Sequence, residues 1–115
     1  MKSGYVNINN KTFSVVLALT NEEQEKGLMY QKYPHPNMAF VYGSPKVLSF
    51  WMKNTPSALD IVFCNNGEIT KIAKGVPYST EVVGNVVGDL VIEFPINTCS
   101  ANKFNVGDKV KLLVG

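Results

Sequence analysis

Several kinds of protein are excluded by what this chain lacks. Its 115 residues include two cysteines, one histidine and one tryptophan. A structural zinc site takes four ligands, and Cys64, Cys99 and His35 fall short of that set, so no metal and no cofactor is expected. The two thiols read as buried free cysteines, with a disulfide the lesser alternative, because the sequence does not show that their Cα atoms come within bridging range. His35 sits between Pro34 and Pro36, in a loop that gives poor support to a Ser-His-Asp triad. Phosphate-loop and dinucleotide fingerprints are absent, and Gly84 and Gly88 lack the strand-turn-helix context such motifs need. There is no run of Lys or Arg and no aromatic-basic interleaving, and the net charge is only +2. A nucleic-acid partner is therefore not expected. Every apolar run is shorter than the roughly 20 residues that span a bilayer, so membrane insertion is not expected either. The start, Met1-Lys2-Ser3-Gly4-Tyr5, lacks the apolar core of a signal peptide. As it stands the chain is expected in the cytoplasm, although removal of an export signal would leave a similar start.

What remains is a composition suited to one folded domain over residues 1–115, with 45% apolar and 17% charged residues. In Thr12–Thr20, Phe13, Val15, Leu17 and Leu19 recur every second residue, the period of a strand with one buried face. With Val6–Asn9 it forms a predicted hairpin around Asn9-Asn10-Lys11, where Asn tolerates positive φ. Thr20 and Glu23 make a capping box, acidic residues crowd the following turn and Gly27 provides a stop, which predicts a short helix. Tyr33–Asn37, with its two prolines, reads as a loop. Met38–Tyr42 is a predicted short strand and Gly43-Ser44-Pro45 a turn. Val47–Asn54 and Leu59–Asn65 are predicted strands, and Asn66-Gly67 is a hairpin turn into Glu68–Lys74. Gly75–Gly88 reads as a long loop with at most a short strand. Leu90–Phe94 is a predicted strand with Leu90, Ile92 and Phe94 inward. Asn97–Lys103 is a second predicted short helix with Asn97 as its cap, and Lys109–Val114 closes the chain as a strand. The sum is a mainly β, single-domain antiparallel barrel of about eight strands with one or two short helices.

The stretch Phe50–Phe63 carries the chemistry. It holds the sole tryptophan, with Lys53 and Asp60 set in an otherwise apolar run, and charges so placed must be paired, solvated or functional. If Thr55–Ala58 is a four-residue hairpin loop, Lys53 faces Asp60 across the ribbon, and Trp51, Lys53, Asp60 and Val62 share one face. Phe50, Met52, Leu59, Ile61 and Phe63 then look like core. The plain structural reading is a rim salt bridge beside a packed indole. The functional reading is a binding patch of Trp51, Lys53, Asn54, Asp60 and Glu93, an aromatic platform with a cation and a carboxylate for a polar small molecule, a sugar or a peptide. The alternatives are a small hydrolase or isomerase using Asp60 or Glu93 as general acid or base, and a structural or accessory protein that acts through oligomer contacts.

Several blocks resemble one family in order and spacing. They are Thr20–Met29, Met38–Tyr42, Phe50-Trp51-Met52-Lys53-Asn54-Thr55, Leu59–Phe63, Val91-Ile92-Glu93-Phe94 and Val106-Gly107-Asp108-Lys109-Val110. Together they are similar to the DUF192 (UPF0127) family, with Trp51–Thr55 the most specific block. The resemblance covers nearly the whole chain and implies a compact, barrel-like β domain with a helix near its start. It supplies no activity. Family members often follow an export signal or lipoprotein leader. Lys26 stands where the family commonly has arginine, which replaces a bidentate fork with a point charge. Pro95-Ile96-Asn97 stands where a small residue and glycine are common.

Overall fold

The computed structural model describes residues 1–114. The chain runs through strands β1 (Lys2–Ile8) and β2 (Lys11–Ala18), helix α1 (Asn21–Lys26), strands β3 (Met38–Phe50), β4 (Leu59–Asn65), β5 (Glu68–Gly75) and β6 (Val83–Pro95), helix α2 (Thr98–Asn102) and strand β7 (Val110–Val114). Local chemistry sets most of these boundaries. Asn9 and Asn10 both take positive φ, 50° and 67°, and turn β1 into β2 in the register Ile8↔Lys11. The amide of Glu23 donates to the Thr20 hydroxyl at 3.1 Å and the Thr20 amide donates to the Glu23 carboxylate at 3.1 Å. The predicted capping box is therefore complete. Gly27 ends the helix at φ 50°.

The seven strands form one curled sheet in the order β5-β4-β6-β3-β2-β1-β7. Its two edges meet at one end, where Glu68 bridges Lys109 and the Val110 amide donates to the Gly67 carbonyl. The result is a mainly β, barrel-like single domain with two short helices, as the sequence implied. The sheet is not wholly antiparallel: β2 and β3 run parallel over three residue pairs, joined by the crossover that holds α1.

Two apolar clusters lie on opposite faces of the sheet. One fills the barrel and includes Val6, Leu17, Val62, Ile92, Phe94 and Phe104, with Phe13 set edge-on to Phe94 at 5.1 Å. The other includes Met38, Phe40, Met52, Ile61, Phe63 and Val91. Every residue from Leu59 to Cys64 is buried, because β4 is covered on both faces. Ile61 and Phe63 enter one cluster, Val62 and Cys64 the other.

Three expectations are corrected. The turn at Gly43-Ser44-Pro45 is an irregularity within one 13-residue strand, where pairing with β6 shifts between Val41 and Lys46. The stretch read mostly as loop before Leu90 contributes Val83–Gly88 to β6, because Val83, Val86 and Val87 pair with Phe50, Leu48 and Val47. Asn97 precedes α2 in a left-handed conformation and makes no side-chain cap bond.

Candidate functional site

The ribbon expected over Trp51–Val62 does not form. Strand β3 ends at Phe50, and β6 lies between β3 and β4, so residues 51–58 are a connection across the sheet. Lys53 and Asp60 are separated by that insertion. Lys53 is exposed and places its ammonium 5.1 Å from the Trp51 ring centroid. Asp60 is 2% exposed and pairs with Phe94 and Lys74 in the neighbouring strands. Its Oδ2 accepts the Cys99 amide at 2.9 Å, which ties α2 to β4. Asp60 thus lies with Cys99 on the barrel side.

The connection is held rigidly. The Met52 amide donates to Ser79 and the Tyr78 amide to Thr55, while the Tyr30 amide donates to Asn54 at 2.7 Å. The Thr55 hydroxyl donates to the Lys53 carbonyl and the Ser57 hydroxyl to the Gln31 carbonyl. Met52 is 1% exposed and anchors the segment in the second cluster. Asn54, Tyr30 and Tyr78 all take positive φ, 58°, 66° and 64°. For tyrosine this is a strained backbone, and such strain concentrates at functional loops. Trp51 remains 48% exposed despite the order around it.

Beside Trp51 a cavity of about 230 Å³ opens between α1 and the sheet. Its lining includes Gln24, Gly27, Phe40, Tyr42, Phe50, Trp51 and Glu93. An adjoining open hollow of about 370 Å³ is lined by Glu22, Lys53 and Asn54. The two share Glu25, Lys26, Met29 and Trp51, so they form one groove around the indole. Four of the five candidate residues, Trp51, Lys53, Asn54 and Glu93, come together there. Asp60 does not.

Glu93 is the chemically unusual member. It is 4% exposed, and burial alone pushes its carboxyl up to about 8; no hydrogen bond offsets that cost. Pairing with Met38 and Ile61 turns it to the side of the second cluster. Gly27 lets the helix end approach it: a Cβ there would stand 3.2 Å from the Phe40 ring and 3.8 Å from Glu93 Oε1. Tyr42, burdened by burial and by the Glu93 charge, is pushed up to about 12. Phe40, Tyr42, Phe50 and Gly27 are wall residues that the sequence reading did not select. The helix stop marks Gly27, but nothing local shows that it abuts β6.

The DUF192 family model, described as an uncharacterized ACR, matches residues 4–112. The chain belongs to the DUF192 family. The chain is also similar to solved structures. A protein of Sinorhizobium meliloti 1021 described as a "putative transcription regulator" is 28% identical with a TM-score of 0.86, over 96% of this chain and 93% of that one. A protein of unknown function from Novosphingobium aromaticivorans DSM 12444 is 28% identical with a TM-score of 0.83, over 95% of this chain and 83% of that one. The sequence has no match among curated proteins. Among the described residues, no group of three or more His, Cys, Asp or Glu is placed to hold a metal ion. No helix among the described residues is long and apolar enough to cross a membrane.

Proposed function

We propose that this DUF192 domain is a binding module whose groove around Trp51 takes a polar small molecule, such as a sugar, or a side chain of a peptide. The observation that carries the reading is Glu93, a buried carboxyl without a hydrogen-bond donor that lines a cavity beside a half-exposed indole. The carboxyl lines the cavity without a protein hydrogen bond, so a donor on a ligand that enters the cavity would find an open acceptor there. At about 230 Å³ the cavity is smaller than the roughly 300–1,000 Å³ of pockets for drug-sized ligands. It therefore takes one group of the ligand, with the rest lying over Trp51 toward Lys53 and Asn54. Trp51 is the sole tryptophan, so intrinsic fluorescence reports on the site directly. Titration with a panel of sugars, amino acids, amines and short peptides is expected to shift that emission for at least one class. A spectrum unmoved by the whole panel, checked by calorimetry, would sink the reading.

A second reading, a small hydrolase or isomerase, is favoured by one feature. A carboxyl pushed up to about 8 is still protonated near neutral pH and suits a general acid. Asp60, on the other side of the sheet, stands outside that cavity. A bell-shaped pH-rate profile lost in Glu93→Gln would favour this reading over plain binding.

A further inference from the structure

The geometry points to a ligand that carries an ammonium group, seated in the Trp51 cavity against Glu93. This rests on the binding reading above and adds the class of ligand. Four aromatic side chains, Phe40, Tyr42, Phe50 and Trp51, line the cavity. Aromatic faces attract cations and offer little to a carbonyl or an anion. The fifth wall is Glu93, which lacks a protein partner and would become the counter-ion. Among the described residues no cation pairs with Glu93; the Lys46 ammonium stands over the Tyr42 ring, 5.4 Å from its centroid. The ammonium of Lys53 lies over Trp51 from the adjoining hollow, and Lys26, which borders both spaces, is an exposed helix-end side chain. The groove as a whole presents Glu22 and Glu25 against Lys26 and Lys53, an even balance that ionised Glu93 tips toward a cation. The small volume admits a head group such as a substituted ammonium, while the adjoining hollow leaves room for the rest of the ligand.

The acid-base consequence follows from the same geometry. Glu25, Lys26 and Tyr42 are the other titratable groups that line the cavity, and Tyr42 is pushed up to about 12. Glu93, at about 8 in the free protein, must release its proton to serve as counter-ion. Affinity for a cation with no titration of its own should therefore rise by up to about tenfold per pH unit from pH 6, and level above 8.

The test uses choline and its neutral isostere 3,3-dimethyl-1-butanol, which replaces the trimethylammonium with a tert-butyl group. Calorimetric titration of the wild-type chain at pH 6, 7 and 8 is expected to show choline binding at least about tenfold tighter than the isostere at pH 8, and weakening as pH falls. Glu93→Gln should abolish the pH dependence and most of the preference. Equal affinity for the two compounds, or choline affinity independent of pH, overturns the inference. Because these comparisons use the wild-type protein, the result stands even if the variant does not fold. If sugars shift the Trp51 emission and choline does not, the ammonium assignment fails and the binding reading survives. If nothing in either set binds, both fall.

Discussion

Glu93 is expected to dominate the pH dependence at the residue scale. Its ordinary value of 4.5 becomes about 8 in the fold. Between those values the folded chain holds a proton that the unfolded chain has lost. Its contribution to stability therefore falls as pH rises from about 4.5 to 8 and levels beyond, by on the order of 1.4 kcal/mol per pH unit at most. Urea unfolding of wild type and Glu93→Gln across pH 5–9 should show the variant gaining relative stability as pH rises. Trp51 behaves differently. Truncating a buried aromatic residue costs about 3–5 kcal/mol, but Trp51 is 48% exposed and its contact with Lys53 contributes about 0.5–1 kcal/mol. Trp51→Ala should fold with a loss of only about 1–2 kcal/mol in denaturant melts, yet lose ligand binding by calorimetry. A large loss of stability would mean that the indole serves packing.

At the scale of elements, α1 and α2 are short and depend on their ends. Removing the Thr20 hydroxyl strips one half of the capping box, and Thr20→Ala should cost about 1 kcal/mol by chemical denaturation. The Glu23 carboxylate is held below its ordinary value by the Leu19 and Thr20 amides. That contribution is present above the unfolded value of 4.5 and is lost as pH falls through the lower folded value, so acid should loosen α1 early. Amide exchange in residues 20–27 would detect it. For α2, Asp60→Ala leaves the buried Cys99 amide without its acceptor, at a cost of about 1–3 kcal/mol. Ligand affinity should remain near wild type, because Asp60 lies on the opposite face from the groove. A selective loss of affinity would return Asp60 to the site.

The whole molecule is one curled sheet whose strand β4 is buried on both faces, and its two thiols report on the integrity of that core. Cys64 and Cys99 are free and buried, and burial raises both to about 12. Thiolates are the reactive form, so labelling by a thiol reagent should be very slow in the native state. It should accelerate in step with global unfolding as urea is added, and rapid labelling of either cysteine at zero denaturant would reveal a local opening of the barrel. The β3–β6 pair has a comparable global role. Gly84 sits at φ 102°, where an added Cβ would meet the Phe63 ring at 2.5 Å and the Leu48 carbonyl at 3.0 Å. Gly84→Ala should destabilise the domain by about 1–3 kcal/mol in a thermal melt, through both overpacking and backbone strain.

Features that depend on neighbours in the chain were legible in the sequence. The Asn9-Asn10 and Asn66-Gly67 turns, the Thr20–Glu23 cap, the strand at Leu59–Asn65 and the mainly β class each rest on a local conformational preference or a period of two. Trp51, Lys53, Asn54 and Glu93 were marked in the sequence only as residue types out of place in apolar runs; that they line one groove was not legible there. The order of strands was decided in three dimensions. Two strands joined by four residues look like a hairpin, yet β6 inserts between them and Ile61 and Phe63 join Val91 and Phe40 in one apolar cluster. That one choice sends Asp60 into the barrel to hold α2. It also leaves Trp51 on a loop beside Gly27 and turns the Glu93 carboxyl toward an aromatic cavity, because sheet partners fix which face a side chain takes and these partners are distant in sequence.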